Sequence, residues 1–141
     1  LVQLGRASKN VKLIDTAISK SVIEVIPELK NKIAEDALSY RIPTDIVSSV
    51  YGVIKINKII PIDEIIKIIN KKTNPKILEI CDGYNNQELV SLDYVKDKRS
   101  SIISKQRLSL NGDLLRFHIW HDNEYGYCSR IYDAIKDIQS R

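Results

Sequence analysis

The sequence predicts an α+β domain: a mixed, mostly antiparallel sheet with helices on one face. Three observations carry this. The apolar periodicity switches between helical and two-residue repeats in the order helix, strands, helix, strands, helix. The run "RLSLNGDLLRFHIW" at residues 107–120 reads as a hairpin, with Asn111 and Gly112 supplying the positive φ angles of a tight turn between two alternating apolar arms. No strand leads into a glycine-rich phosphate loop, so these residues encode no dinucleotide-binding half.

The elements follow in order. In the first helix, Asp15 or Thr16 can cap the orphan N–H groups, and Ile18, Val22, Val25 and Ile26 share a face. Pro27 ends it, because proline disfavours a helical residue before it. "EDALSYRIP" (35–43) then reads as a strand. "IVSSVYGVIKIN" (46–57) is a longer one, with Val50, Ile54 and Ile56 on one side. "PIDEIIKIINKKTN" (61–74) is a helix with proline before it, acids in its first turn and lysines in its last, an order that complements the helix dipole. "KILEICD" (76–82) is a short buried strand, and "ELVSLDY" (88–94) and "SSIIS" (100–104) are weaker ones. The last helix starts near Tyr125, with Ile131, Ala134, Ile135 and Ile138 as its apolar stripe.

Composition bounds the function. A chain of 141 residues suits one domain. At that size it can bury roughly two-thirds of its unfolded surface, enough for a core. The net charge of +4 is modest, and the densest basic cluster, "KDKR" at 96–99, is too short for a nucleic-acid stripe, which argues against nucleic acid as a primary partner. No apolar run approaches the ~18 residues of a membrane span, so no membrane partner is expected. Cys81 and Cys128 form neither a disulfide framework nor a metal-ligand spacing, and a reducing cytosol is the simplest compartment. The chain begins with Leu, as a piece of a longer protein would.

Individual side chains divide between structure and chemistry. His118, in the hairpin strand beside Phe117, reads first as a packed strand residue; His121 stands at the strand end, and both titrate near neutral pH. Cys81 lacks a nearby cation or base in sequence and reads as structural. Cys128 lies in the first turn of a helix, where the dipole favours a thiolate, yet the structural reading leads there too. Arg41 sits in an apolar strand and must find an anion, either a carboxylate or a phosphate. Thr16, at a predicted helix start, is either a cap or part of an anion site.

A family resemblance follows from several motifs in one order. "DNEYGY" (122–127) follows a Trp-ending strand and precedes an Arg and a helix. This resembles the C-terminal signature of phosphorylating glyceraldehyde-3-phosphate dehydrogenases. Val25-Ile26-Pro27-Glu28-Leu29 and Arg41-Ile42-Pro43-Thr44 are similar to that family's "IPEL…RVPT". Ala7-Ser8-Lys9-Asn10 and Thr16…Lys20…Val22 fall where it has "ASxN" and "TGAAKAV". Leu89-Val90-Ser91-Leu92-Asp93-Tyr94 resembles "VVSSDF". The likeness runs from about Arg6 to the C-terminus, and the shared order makes it specific.

The resemblance implies that residues 1–141 are the C-terminal catalytic domain of an NAD-dependent enzyme, with the N-terminal NAD-binding domain absent from this chain. Such an enzyme oxidises a sugar-phosphate aldehyde to an acyl phosphate with inorganic phosphate. It is cytoplasmic and homotetrameric, assembled largely through this sheet, and its last helix packs on the NAD domain. By the motif match, Thr16, Ala17 and Arg41 bind substrate and phosphate, Asn123 orients the nicotinamide carboxamide, and Tyr127 packs near the ring.

The pattern is not followed throughout. Ala17 replaces the family glycine after the phosphate threonine, Ile46 stands where the family has Asn, and Leu13-Ile14-Asp15-Thr16 replaces Pro-Ser/Thr-Thr-Thr. Arg6 matches the Arg of the preceding loop only with one residue deleted. Asp15 resembles the erythrose-4-phosphate dehydrogenase branch, the alternative substrate class. A catalytically dead remnant serving as a binding or oligomerisation module is the other alternative, motivated by the altered phosphate loop. The family's nucleophilic Cys, its partner His and its dinucleotide fold are expected upstream of these residues, since neither Cys81 nor Cys128 falls at the nucleophile's place.

Overall fold

The computed structural model describes residues 11–34, 37–44, 46–83 and 87–141. The chain divides into two compact units, Leu1–Asp45 and Ile46–Arg141. Arg6 and the run 7–10, which carry part of the resemblance, lie outside the described residues, as do Glu35 and Asp36 at the head of the expected second strand.

In the first unit, β1 (Lys12–Thr16) pairs antiparallel with β2 (Ala37–Arg41). Between them lie α1 (Ile18–Val25) and a 3₁₀ turn (Pro27–Leu29). The helix therefore begins later than expected. Asp15 and Thr16 belong to β1, paired with Leu38 and Ala37, and the N-cap is Ala17, with no side-chain cap bond. Extended ladder pairing overrides the local capping preference of Asp and Thr. Pro27 follows the helix end as expected and opens the 3₁₀ turn. Ser19 is the one buried residue described in this unit, while Leu13, Val25, Leu38, Tyr40 and Ile42 are all exposed.

The second unit is built around one strand. β7 (Leu114–His121) takes the whole of β3 (Ser48–Lys55) along one edge. Its other edge takes β6 (Ser109–Asn111) at the start and β5 (Ser101–Ser104) at the end. β4 (Leu78–Cys81) adds to β5 in parallel, so the sheet is mixed but mostly antiparallel, as the sequence predicts. α2 (Ile62–Lys72) lies between β3 and β4, with Asp63 and Glu64 in its first turn and Lys71 and Lys72 in its last.

Alternation sorts the side chains between two faces. On one, Ile65 of α2 packs with Ile103, Leu108 and Leu115, joined by Phe117 and Ile119. On the other, Ile102, fully buried, packs with Val47, Tyr94 and Trp120. Val47 reaches this cluster with a φ of 69°, an outlier for a β-branched residue.

Two local expectations change. Residues 88–94 do not form a strand: the Asp93 carboxylate accepts the Val90 N–H at 2.8 Å and closes a 3₁₀ turn (Ser91–Tyr94) that buries Tyr94. The hairpin turn is Gly112–Asp113 rather than Asn111–Gly112, since Asn111 pairs with Leu114. Of those three residues Gly112 alone has a positive φ, 60°, as a type II′ turn with glycine first requires. α3 (Tyr125–Gln139) starts where expected, but Ile131, Ile135 and Ile138 of its stripe are exposed in this chain.

Candidate functional site

The polar junction at 120–130 is where β7 runs into α3. Trp120 closes the strand from the inside. Its ring stacks on Tyr94 with centroids 5.6 Å apart and meets the His118 imidazole edge-on at 4.7 Å. Burial pushes the Tyr94 phenol up to about 12, which keeps it a neutral packing partner. His118 Nδ1 and Trp120 Nε1 are buried with no hydrogen-bond partner among the described residues.

The corner itself is made by Asp122, which is 3% exposed. Its Oδ1 accepts the backbone N–H groups of Tyr125 at 2.8 Å and Glu124 at 3.1 Å. Its Oδ2 accepts the N–H of Lys96 at 2.8 Å. Burial drives the carboxyl up, but the N–H groups of Tyr125, Lys96 and Glu124 outweigh it and hold Asp122 below the usual carboxylate range. The carboxylate also lies at the positive end of α3, where an anion is favoured. Gly126 completes the turn: a Cβ there would sit 2.9 Å from the Arg99 carbonyl oxygen, so only glycine lets the helix start approach the segment that leads into β5.

Asn123 and Tyr127, the residues that the resemblance assigns to the nicotinamide, occupy the exposed side of the same corner. Ser48 Oγ, at the start of β3, donates to Asn123 Oδ1 at a long 3.5 Å. That contact uses the amide oxygen and leaves the Nδ2–H₂ donors to other partners. Tyr127 is 68% exposed on the first turn of α3. An exposed amide and an exposed phenol four residues apart on the chain suit, by their chemistry, one edge of a carboxamide-bearing aromatic ring. They do not suit a whole dinucleotide, whose pyrophosphate needs a cradle of backbone N–H groups.

The phosphate candidates are less well assembled. Thr16 lies opposite Ala37, and Arg41 lies opposite Lys12, at the two ends of the β1–β2 ribbon. Four residues of strand separate their register positions, roughly 13 Å at about 3.3 Å per residue. Ala17 follows Thr16 at the N-cap of α1. Arg41 is exposed and takes no part in the ion pairs among the described residues.

Two concavities flank the second unit's sheet and helix. One, of about 660 Å³, has Tyr51, Arg116, His118 and Trp120 as its floor and Glu88 with Arg107 on its wall. Arg107 binds the Glu88 carboxylate through Nε at 2.8 Å and Nη2 at 2.6 Å. Burial pulls the His118 imidazole below its ordinary value, Glu88 opposing and Arg107 adding. The other, of about 1040 Å³, lies beside α3 and includes Lys96, Arg99, Cys128 and Arg130. Cys128 is exposed and Cys81 half-buried. Among the described residues no group of three or more His, Cys, Asp or Glu side chains is placed to hold a metal. No helix there is long and apolar enough to cross a membrane.

Asp122 and Arg99 carry the junction, yet the sequence reading gives neither a role. Arg99 binds Glu79 through Nη1 at 2.6 Å and Asp97 through Nε at 2.9 Å, which splits the apparent basic run 96–99. The signal for Asp122 was present: an acid shortly before a helix start. Its carboxylate accepts the N–H groups two and three residues on while its carbonyl accepts the Gly126 N–H, as a helix-capping acid does.

Fold and junction define an α+β domain of the mixed-sheet class whose central strand ends in a carboxylate-clamped corner with an exposed amide and phenol. Residues 3–123 match the family described as glyceraldehyde 3-phosphate dehydrogenase, C-terminal domain, and the chain belongs to that family. It is 35% identical over 136 residues to glyceraldehyde-3-phosphate dehydrogenase 2 of Drosophila melanogaster, covering 96% of this chain and 40% of the relative. It is 36% identical over 133 residues to the cytosolic glyceraldehyde-3-phosphate dehydrogenase of Sinapis alba, covering 93% and 38%. The chain thus spans about 40% of the length of such relatives.

Proposed function

We propose that this chain is the C-terminal catalytic-domain portion of an NAD-dependent phosphorylating glyceraldehyde-3-phosphate dehydrogenase. The observation that carries the reading is the family match over residues 3–123. The exposed amide and phenol at the start of α3, where the family's nicotinamide residues fall, support it. The enzyme would oxidise an aldehyde phosphate to an acyl phosphate, using inorganic phosphate. Thr16, Ala17 and Arg41 bind the phosphate groups, Arg41 through a planar guanidinium suited to two oxygens at once. Asn123 donates to the nicotinamide carboxamide, and Tyr127 lies along the ring. NAD supplies the hydride acceptor when bound; Asn123 and Tyr127 would hold only its nicotinamide end.

The thiol nucleophile and its base belong to the portion of the enzyme outside this chain, since neither Cys81 nor Cys128 occupies the nucleophile's place in the motif order. The protein acts in the cytoplasm, a reading supported by the cytosolic relative of Sinapis alba. It assembles as a homo-oligomer through the sheet.

A second reading rests on two observations. Thr16 and Arg41 stand at opposite ends of the ribbon, and Asp15 adds negative charge beside Thr16. Those features suit a decayed phosphate site, in which the chain folds and binds partners without turnover. Erythrose 4-phosphate, which the Asp15 position suggests, is the other aldehyde to test. NAD reduction should be assayed with both aldehydes, for this chain and for an intact protein that carries it. In the active protein Arg41→Ala should raise the KM for phosphate and aldehyde at least tenfold. An unchanged KM would falsify the phosphate assignment, and no turnover by the intact protein would favour the second reading.

A further inference from the structure

Resting on the reading of Asn123 above, we infer that Asp122 is a positioning residue for the nicotinamide site and acts through Asn123. The geometry is specific. Asp122 Oδ1 binds the N–H groups of Glu124 and Tyr125, so the chain closes into a turn with Asn123 at its apex. Asp122 Oδ2 binds Lys96, on a segment 26 residues away in sequence, which ties that turn to the loop after the 3₁₀ turn. Ser48 Oγ then meets Asn123 Oδ1 from β3. The Asn123 backbone is thereby held in a turn by a buried carboxylate, and its exposed amide is contacted from β3 through Oδ1 alone.

The corner has no substitute for this carboxylate. The N-cap, Glu124, makes no side-chain cap bond, so without Asp122 the first N–H groups of α3 lose their charged acceptor. The N–H of Lys96 would also lose its partner. Because a ligand site tolerates displacements well under an ångström, a loosened turn at residue 123 weakens carboxamide binding even though Asp122 touches no ligand.

A double-mutant cycle in the intact dehydrogenase tests this, with Asp122→Asn, Asn123→Ala and the pair. Thermal melts confirm that each variant is folded. Asp122→Ser, which keeps one oxygen acceptor for the helix, replaces Asp122→Asn if that variant does not fold. Both single variants should raise the KM for NAD about tenfold while moving the KM for inorganic phosphate less than twofold. The pair should be no worse for NAD than Asn123→Ala alone, because the effect of Asp122 passes through Asn123. Additive effects in the cycle, or an equal rise in both KM values, would overturn the positioning role and leave the reading of Asn123 standing. An unchanged KM for NAD in Asn123→Ala would remove that reading and this inference together.

Discussion

The ring of Phe117 lies across the backbone of Gly52, its register partner between β7 and β3. A Cβ at residue 52 would overlap the ring's far edge, with Cε1 only 2.8 Å away. Glycine in a strand ordinarily weakens it, and here the aromatic ring fills the missing side chain's place. Gly52→Ala should therefore destabilise the second unit by about 1–3 kcal/mol through overpacking. Urea denaturation measures it, and Phe117→Leu in the Gly52→Ala background should recover part of the loss. A neutral Gly52→Ala would show that the ring moves aside freely.

Lys96 carries the opposite kind of backbone conflict. Its φ is 64°, in the left-handed region, and its N–H is the donor to Asp122. That conformation costs an L-residue roughly 1–2 kcal/mol and glycine little. Lys96→Gly keeps the N–H, so it should raise stability by about 1 kcal/mol, after the added unfolded-state entropy of glycine is set against the relief. The shift in urea midpoint at constant slope checks this. A lowered midpoint would mean that the lysine side chain contributes more than the backbone conflict costs.

What was legible in the sequence is what local periodicity encodes. The alternation of β3 and β7, the charge order of α2 and the start of α3 all follow from patterns a few residues long. The rest depends on partners distant in sequence. Residues 15 and 16 read as a helix cap until the ladder to residues 37 and 38 claims them. Gly126 is required by the Arg99 carbonyl, 27 residues earlier, and the Arg99–Glu79 pair spans 20. Asn123 and Tyr127 enter as candidates through the family motif alone, whereas the clamp at Asp122 shows only in the folded chain, because its third hydrogen bond comes from Lys96.

His118 should make stability fall on mild acidification. Burial lowers its folded pKa, with Glu88 opposing and Arg107 adding, and Tyr51 is its neighbour on β3. The unfolded imidazole titrates near about 6.5, so just below that pH the unfolded chain binds more protons than the folded one. The contribution is thus full above about pH 6.5 and declines as pH falls through that value toward the lower folded pKa. Burial lowers His121 as well, against the pull of Asp122, so the two add in the same direction. His118→Gln should flatten the decline between about pH 7 and 5, and pairing it with His121→Gln should flatten it further. Chemical denaturation across that range measures the slope. A slope unchanged in the double variant would place the titration elsewhere.

Asp122 should govern stability at lower pH, with the sign set by a depressed carboxylate. Its folded pKa lies below the unfolded value of about 3.9, because the N–H groups of Tyr125, Lys96 and Glu124 bind only the charged form well. Above about pH 4 both states are ionised and the stabilisation is complete; as pH falls through the folded pKa the carboxylate protonates and the contribution is lost. Asp97, held low by Arg99 against the effect of burial, and Glu88, held low by Arg107, act in the same window. Asp122→Asn should therefore cost about 1–3 kcal/mol at neutral pH, the range for a buried group losing a charge-assisted bond. It should also shallow the acid limb below pH 4 without abolishing it. The two measurements constrain each other: the neutral-pH loss should equal the part of the acid limb that disappears. A neutral-pH loss with the acid limb intact would mean that the amide disrupts packing and that the charge at residue 122 is not what holds the corner.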